Sequence, residues 1–225
     1  MRRESCPYAA SYCEENAYKL CERLADASGG RQQLYACFLT NDRKACPLWR
    51  QRAGRPPDGF VVWDYHVFVL AVDMDGDCVV FDLDTTLAFP CAFRQFVSES
   101  LRDERTLRPE FKRKFRLVEG SEFLALFSSD RRHMRNSDES FSAEPPSWAP
   151  IRGPRAPVAH TLPYFLDVGD SDSVVRYRVD KSSTDGGRPP SVEDATFAKL
   201  LNDRSEIVAF DQLCARFLSA RIEQS

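Results

Sequence analysis

Residues 60–83, FVVWDYHVFVLAVDMDGDCVVFDL, carry the strongest strand signal in the chain. Phe60 to Val72 is mostly aromatic and β-branched, the residue types that fit a pleated and largely buried surface. Asp73 to Asp77 (DMDGD) is a turn region, and Cys78 to Leu83 returns to apolar residues except at Asp82. The pattern is a β-hairpin with the composition of central strands. His66 interrupts the first strand and Asp82 the second, and a buried carboxylate needs a partner because an unpaired one is costly. If the loop is Asp73-Met74-Asp75, Val72 faces Gly76 and His66 faces Asp82. Facing residues have Cβ atoms about 4.5–5.5 Å apart, which suits an imidazole bonded to a carboxylate. A tight turn on Asp75-Gly76 pairs Met74 with Asp77 instead and sets His66 against Thr85. The residues leave both registers open.

Upstream lies SYCEENAYKLC, residues 11–21. Ser11 and Glu14 have capping-box spacing. Cys13, Ala17, Leu20, Cys21 and Leu24 fall on one face of a helix, which Ser28-Gly29-Gly30 ends. Cys13 therefore sits at the positive end of a helix dipole, where a thiol is biased toward thiolate. The plainer reading is a small buried hydrophobe.

The chain has 225 residues, 43% of them hydrophobic and 12% aromatic, enough for a sizeable core. A net charge of −3 gives no electrostatic case for a nucleic-acid partner. The N-terminus, MRRESCPYAA, has no apolar leader, and no segment approaches the roughly 20 apolar residues of a membrane span. None of the eight cysteines forms a C-x-x-C pair, so zinc-site spacing is absent. Most of the thiols lie in apolar runs, as suits a reducing compartment.

Between the first helix and the hairpin, Leu34 to Leu39 reads as a buried strand, TNDRK (40–44) as a turn, and ACPLWR (45–50) as a short return strand. PCAFRQFVSESL (90–101) opens a helix behind Pro90. PEFKRKFRLV (109–118) carries Lys112, Arg113, Lys114 and Arg116, a partner patch or, more commonly, a solvated face. SEFLALFSSDRRHM (121–134) reads as a short helix and a polar turn. From about 135 to 190 the composition changes: eight of the 14 prolines lie there, and the stretch reads as long, partly disordered loop around an edge strand, VVRYRV (174–179). SVEDATFAKLLND (191–203) is a helix with a second capping box at Ser191 and Asp194, EIVAF (206–210) a strand, and DQLCARFLSARI (211–222) an amphipathic helix. An early helix, an antiparallel sheet and later helices make the fold α+β rather than alternating βαβ.

A nucleophilic cysteine needs a base and a group that orients the base. Of the three histidines, His133 lies in the polar turn and His160 in the proline-rich loop, which leaves His66. Cys13, His66 and Asp82 are the parts, in chain order, of a papain-like or transglutaminase-like site. A core histidine and a loop-capping aspartate are the alternative readings.

The chain resembles the protein N-terminal glutamine amidohydrolase family. The resemblance rests on YCEEN with KLC behind it, VVWDYHV, FDLDT followed by FPC, FKRKFR, FSSDRRHM and EPP, in order over residues 8 to about 148, with a weaker match at EIVAFDQLCARF. It departs between about 153 and 190, where the chain carries an insertion. The resemblance implies a single papain/transglutaminase-like α/β domain over 1–225, with Cys13 as nucleophile, His66 as base and Asp82 as third member. It also implies conversion of N-terminal Gln to Glu with release of ammonia, which feeds the arginine branch of the N-degron pathway. No cofactor or metal is implied. The expected partners are proteins and peptides with a free N-terminal Gln, met by a monomer in the cytoplasm, with the nucleus as a second compartment. Selecting a free N-terminus requires a carboxylate for the α-ammonium. Glu14, Glu15, Asp64 and Asp84 flank the triad and are candidates, unless Glu14 caps the helix and the others are surface charges. Trp63 and Tyr65 are candidate pocket walls or core residues. A papain-like protease or transglutaminase-like acyltransferase would use the same triad, and in a non-enzymatic adaptor Cys13 would be structural.

Overall fold

The computed structural model describes residues 1–169 and 191–218, so the expected strand at 174–179 lies outside the described residues. Six strands form one sheet: β1 (Gln33–Thr40), β4 (His66–Val72), β5 (Cys78–Phe81), β6 (Cys91–Ala92), β7 (Lys114–Glu119) and β8 (Ser205–Ala209). Their order is β6-β5-β4-β1-β7-β8, and every neighbouring pair is antiparallel. β2 (Cys46–Leu48) and β3 (Val61–Trp63) form a separate pair. The mixed α and β content with an antiparallel sheet is the class expected from the sequence.

Both faces of the sheet are covered. On one side Phe38, Val67, Val69 and Ala71 pack beneath α1 (Cys13–Ser28), α3 (Gly120–Leu126), α4 (Leu162–Phe165) and α5 (Val192–Asp203). On the other, Cys37, Leu39, Phe68 and Leu70 pack against α2 (Phe93–Phe96) and α6 (Phe210–Phe217). β1 and β4 are thus buried on both faces, which is why they read as continuous apolar runs rather than alternating ones.

The predicted 60–72 strand divides at Asp64-Tyr65. The Asp64 carboxylate accepts the Tyr65 N–H at 2.9 Å and the Thr40 hydroxyl donates to the Asp64 carbonyl at 3.2 Å, holding a bend between β3 and β4. β2 consequently pairs with β3, not with β1 as its position in sequence suggested. The hairpin register also differs from both expectations: Val72 faces Cys78 across a five-residue loop. Asp73 closes that loop by accepting the N–H groups of Asp75 and Asp77 at 3.0 and 2.9 Å, while Gly76 adopts a φ of 83°.

Helix α1 begins at Cys13 without the expected capping box. Ser11 has a φ of 66°, Tyr12 is the N-cap, and no side chain caps the helix. Instead Asn16 clasps the incoming chain, accepting the Ala9 N–H and donating to the Ala9 carbonyl, both at 2.8 Å. Gly29, with φ 55°, ends the helix in the left-handed conformation that glycine permits. The predicted box at Ser191 and Asp194 is present on α5.

The basic run at 112–116 is not simply a solvated face. Arg113 and Arg116 are among the most buried side chains. Arg113 Nε donates to Glu104 at 2.9 Å, and its Nη1 to the Leu101 and Pro47 carbonyls at 2.6 and 3.2 Å. Arg116 donates to Asn202, Ser205 and the Asp167 carbonyl, tying β7 to the segments around α4 and α5. A guanidinium can enter a core in this way because its donors in a fixed fork satisfy backbone carbonyls. The described part of the proline-rich region, through Gly169, is likewise not mere loop, since Ile151, Leu162, Tyr164, Phe165 and Leu166 belong to the core.

Arg113→Ala should cost about 3–5 kcal/mol in urea unfolding, because it strands Glu104 and two carbonyls. Arg113→Met combined with Glu104→Gln should recover a large part of that loss.

Candidate active site

The start of α1 lies against β4, and this contact builds the site. Cys13 is half-buried and shares a small cleft with Asn16, Val67, Phe81, Leu83 and Asp84. Its Sγ is 3.7 Å from Glu14 Oε2. Burial pushes the thiol well above its ordinary value, and the Glu14 and Asp84 carboxylates push further in the same direction. The Val67 N–H acts the other way. The expected bias toward thiolate is therefore reversed in the free protein. A helix start supplies on the order of 1 kcal/mol in favour of an anion, and desolvation with two nearby negative charges outweighs it.

His66 opens β4 and is 1% exposed. Its Nε2 lies 3.0 Å from Asp82 Oδ1, and Asp82 is equally buried. The two meet although the ladder does not make them opposite partners. Pairing stops at Val69 and Phe81, and the chain then turns so that Asp82 Oδ1 also accepts the Asp84 N–H at 2.9 Å. Burial opposes the imidazolium but is outweighed by Asp82, with Asp84 and Glu14 adding to it, so His66 is raised above 6.5. Burial likewise opposes the Asp82 carboxylate, yet the His66 charge and hydrogen bonds from His66, Asp84 and Gln51 hold it below the usual range.

Gln51 was not singled out by the sequence. It is 1% exposed, accepts the Trp63 indole N–H at 3.2 Å and donates to Asp82 Oδ2 at 3.4 Å. Trp63 stacks on His66 with ring centroids 5.7 Å apart and 15° between planes. The indole and the carboxylate thus bracket the imidazole, and one amide holds both.

The flanking carboxylates differ in kind. Glu14 is fully buried, and its Oε2 accepts the Tyr65 hydroxyl at 3.0 Å. Burial raises Glu14 to about 7. Glu15 is also buried, but Arg131 grips both its oxygens at 2.7 Å and the Trp148 indole donates at 2.8 Å. That clamp ties the first turn of α1 to the segment after α3. Asp64 is exposed at the β3–β4 bend. Asp84 accepts the Tyr8 hydroxyl at 2.6 Å. The exposed His133 reaches the Tyr65 hydroxyl at 3.4 Å. Tyr8, Arg131 and Trp148 join the site only through folding, since nothing local in their sequence announces these partners.

Ligand atoms of His66, Asp82 and Asp84 lie within 4.8 Å of one another, and no other such set occurs among the described residues. Most of those atoms already serve one another or Tyr8, so a cation would displace existing hydrogen bonds. Among the described residues no hydrogen bond joins Cys13 Sγ to His66. The imidazole Nε2 is occupied by Asp82, which leaves Nδ1 as the nitrogen that can exchange a proton.

Asp82→Asn should remove the main support of the imidazolium and leave burial in control. NMR titration of the His66 ring protons should then give a pKa below 6.5, against one above 6.5 in the parent protein.

A sequence profile of the N-terminal glutamine amidase family matches residues 8–185. Proteins called protein N-terminal glutamine amidohydrolase from Drosophila virilis and Drosophila willistoni are each 48% identical over 147 residues, covering 65% of this chain and 72% of theirs. The Drosophila mojavensis protein of the same name is 47% identical over the same length. With a profile spanning most of the chain, and with identity of this level over most of each relative, the chain belongs to the N-terminal glutamine amidase family.

Proposed function

We propose that this protein hydrolyses the side-chain amide of an N-terminal glutamine in proteins and peptides, giving glutamate and ammonia, by papain/transglutaminase-like cysteine chemistry. The observation that carries the chemistry is the buried His66–Asp82 pair at 3.0 Å, with Cys13, in the first turn of a helix, set against Val67, the residue after His66. Family membership and the relatives' names support the substrate.

Cys13 is the nucleophile, His66 the base and Asp82 the group that holds the imidazole. The Cys13 thiol is held high, so its proton passes to His66 Nδ1 as Sγ attacks the amide carbon. The thiol–imidazole hydrogen bond forms with substrate in place, since bonds between catalytic groups are commonly long or absent without it. The carbonyl becomes an oxyanion, for which the backbone N–H of Cys13, at the start of α1, is a suited donor. The imidazolium gives its proton to the nitrogen, the C–N bond breaks, and ammonia leaves a glutamyl thioester. His66 then takes a proton from water, the hydroxide attacks the thioester, and Sγ departs to recover the proton. Gln51 and Trp63 keep the imidazole in place throughout.

In this reading the whole chain acts as one amidohydrolase domain and as a monomer. The sheet supports the single domain, because it draws strands from residue 33 to residue 209. No helix among the described residues is long and apolar enough to cross a membrane, and the proposed setting is the cytoplasm or nucleus, upstream of the arginine N-degron pathway. A protease or acyltransferase would accept chain on both sides of the glutamine. Ammonia release from a Gln-initiated peptide, and none from its acetylated or internal-Gln counterparts, separates these activities.

Cys13→Ala should abolish that release with the fold intact, while Cys21→Ala, two turns deeper in α1, should leave it near normal. Equal loss from both would assign Cys13 to packing. Asp82→Asn should lower turnover by a factor on the order of 10⁴, the scale seen for triad aspartates. Asp84→Asn should lower it much less. The acid limb of the kcat/KM profile should lie above 6.5, because the base must be neutral and Asp82 raises it.

A further inference from the structure

We infer that Glu14 is the specificity-determining residue that reads the free amine of the substrate, its carboxylate receiving the α-ammonium beside the nucleophile. This rests on the amide-hydrolase reading above and goes beyond it by choosing among the carboxylates around the site. Glu15 is saturated by Arg131 and Trp148. One oxygen of Asp84 is taken by Tyr8, and Asp64 is exposed at a bend and bonded to a backbone N–H. Glu14 alone among the four combines complete burial, a position 3.7 Å from Sγ and an oxygen, Oε1, with no hydrogen-bond partner.

A buried, unpartnered carboxylate oxygen is costly unless something fills it in the working state. An ammonium does so with charge as well as hydrogen bonds. The dimensions agree. Four bonds of about 1.5 Å separate the α-nitrogen of glutamine from its side-chain amide carbon, a reach of about 5 Å at most. With the amide carbon about 3–3.5 Å from Sγ for attack and an N–H···O contact of about 2.8 Å, an α-ammonium comes within reach of the Glu14 carboxylate, one oxygen of which, Oε2, lies 3.7 Å from Sγ. The contacts from Glu14 through the Tyr65 hydroxyl to the exposed His133 mark the side from which an amine approaches.

Electrostatics gives this contact a second effect. The Glu14 carboxylate is one of the charges that hold the Cys13 thiol up. A cation on Glu14 neutralises it and makes the thiolate easier to form. Only a chain end carries that cation, so an internal or acetylated glutamine would leave Cys13 poorly activated.

The test is a cycle between enzyme and substrate. Ammonia release is measured for wild type and Glu14→Gln on two peptides. One begins with Gln, and the other begins with 5-amino-5-oxopentanoyl, which is Gln with its α-amine replaced by hydrogen. Wild type should prefer the first by about 100-fold in kcat/KM, the worth of one charged hydrogen-bond contact. Glu14→Gln should lose activity on the first peptide only, bringing the ratio within about threefold of one. A full ratio retained in Glu14→Gln overturns the inference, as does equal loss on both peptides, which would make Glu14 a structural or general catalytic group. No release from the Gln peptide by wild type would instead overturn the parent reading. Should Glu14→Gln fail to fold, Tyr65→Phe, which removes the hydroxyl that favours the charged form of Glu14, is read in the same way: a severalfold smaller ratio supports the inference and an unchanged one counts against it.

Discussion

Asp82 is a carboxylate with almost no exposure to solvent, and it keeps its charge there because His66 Nε2 lies 3.0 Å away. Neither group could be buried alone in ionised form at tolerable cost. Much of the neighbouring architecture serves that pair. The bend after β3 returns Trp63 over the imidazole, β2 and the loop behind it bring Gln51 to both Trp63 and Asp82, and the turn after β5 gives Asp82 the Asp84 N–H. A buried polar network of this sort is worth keeping only when its members are satisfied, and here both Asp82 oxygens are.

Around the pair lies a cluster of negative charge with few cations. Asp82, Asp84 and Glu14 all act on His66 and raise it, and Glu14 and Asp84 raise the Cys13 thiol. The free site therefore stores its proton on sulfur rather than holding a thiolate in advance. This is the reverse of what a helix start alone would produce. It also makes the Cys13 thiol responsive to a positive charge brought to Glu14, which suits the proposed reading of chain ends.

The frame that presents the site is held by arginines in unusual places. Arg131 locks the first turn of α1 to the segment after α3 through Glu15. Arg113 and Arg116 anchor β7, the neighbour of β1, to loops on both sides. Each places a guanidinium where a hydrophobe would ordinarily stand, with carboxylate or carbonyl partners from distant parts of the chain. Such arrangements fix geometry more than they add stability, since desolvation takes back much of the Coulomb gain.

The sequence by itself determined the elements whose causes are local. The apolar face of α1 and its stop at Gly29, the buried runs of β1 and β4, the turn at DMDGD and the capping box at Ser191 all follow from periodicity and turn chemistry within a few residues. The same chemistry misled at Ser11, where an identical spacing meets a backbone with positive φ and Glu14 turns inward to Tyr65 instead. The choice of His66 and Asp82 as partners was legible because a polar residue in a strand core needs a reason, but their register was not. Their contact arises where the ladder ends, and a ladder rule cannot describe that place. Only the tertiary structure decided which carboxylates are clamped and which is left with an open oxygen, and which of Arg113 and its basic neighbours goes inside. Only the tertiary structure showed that Gln51, Tyr8 and Trp148 belong to the site. Those outcomes depend on partners up to 133 residues away, and the burial that sets their charges is a property of the packed layers rather than of any stretch of chain.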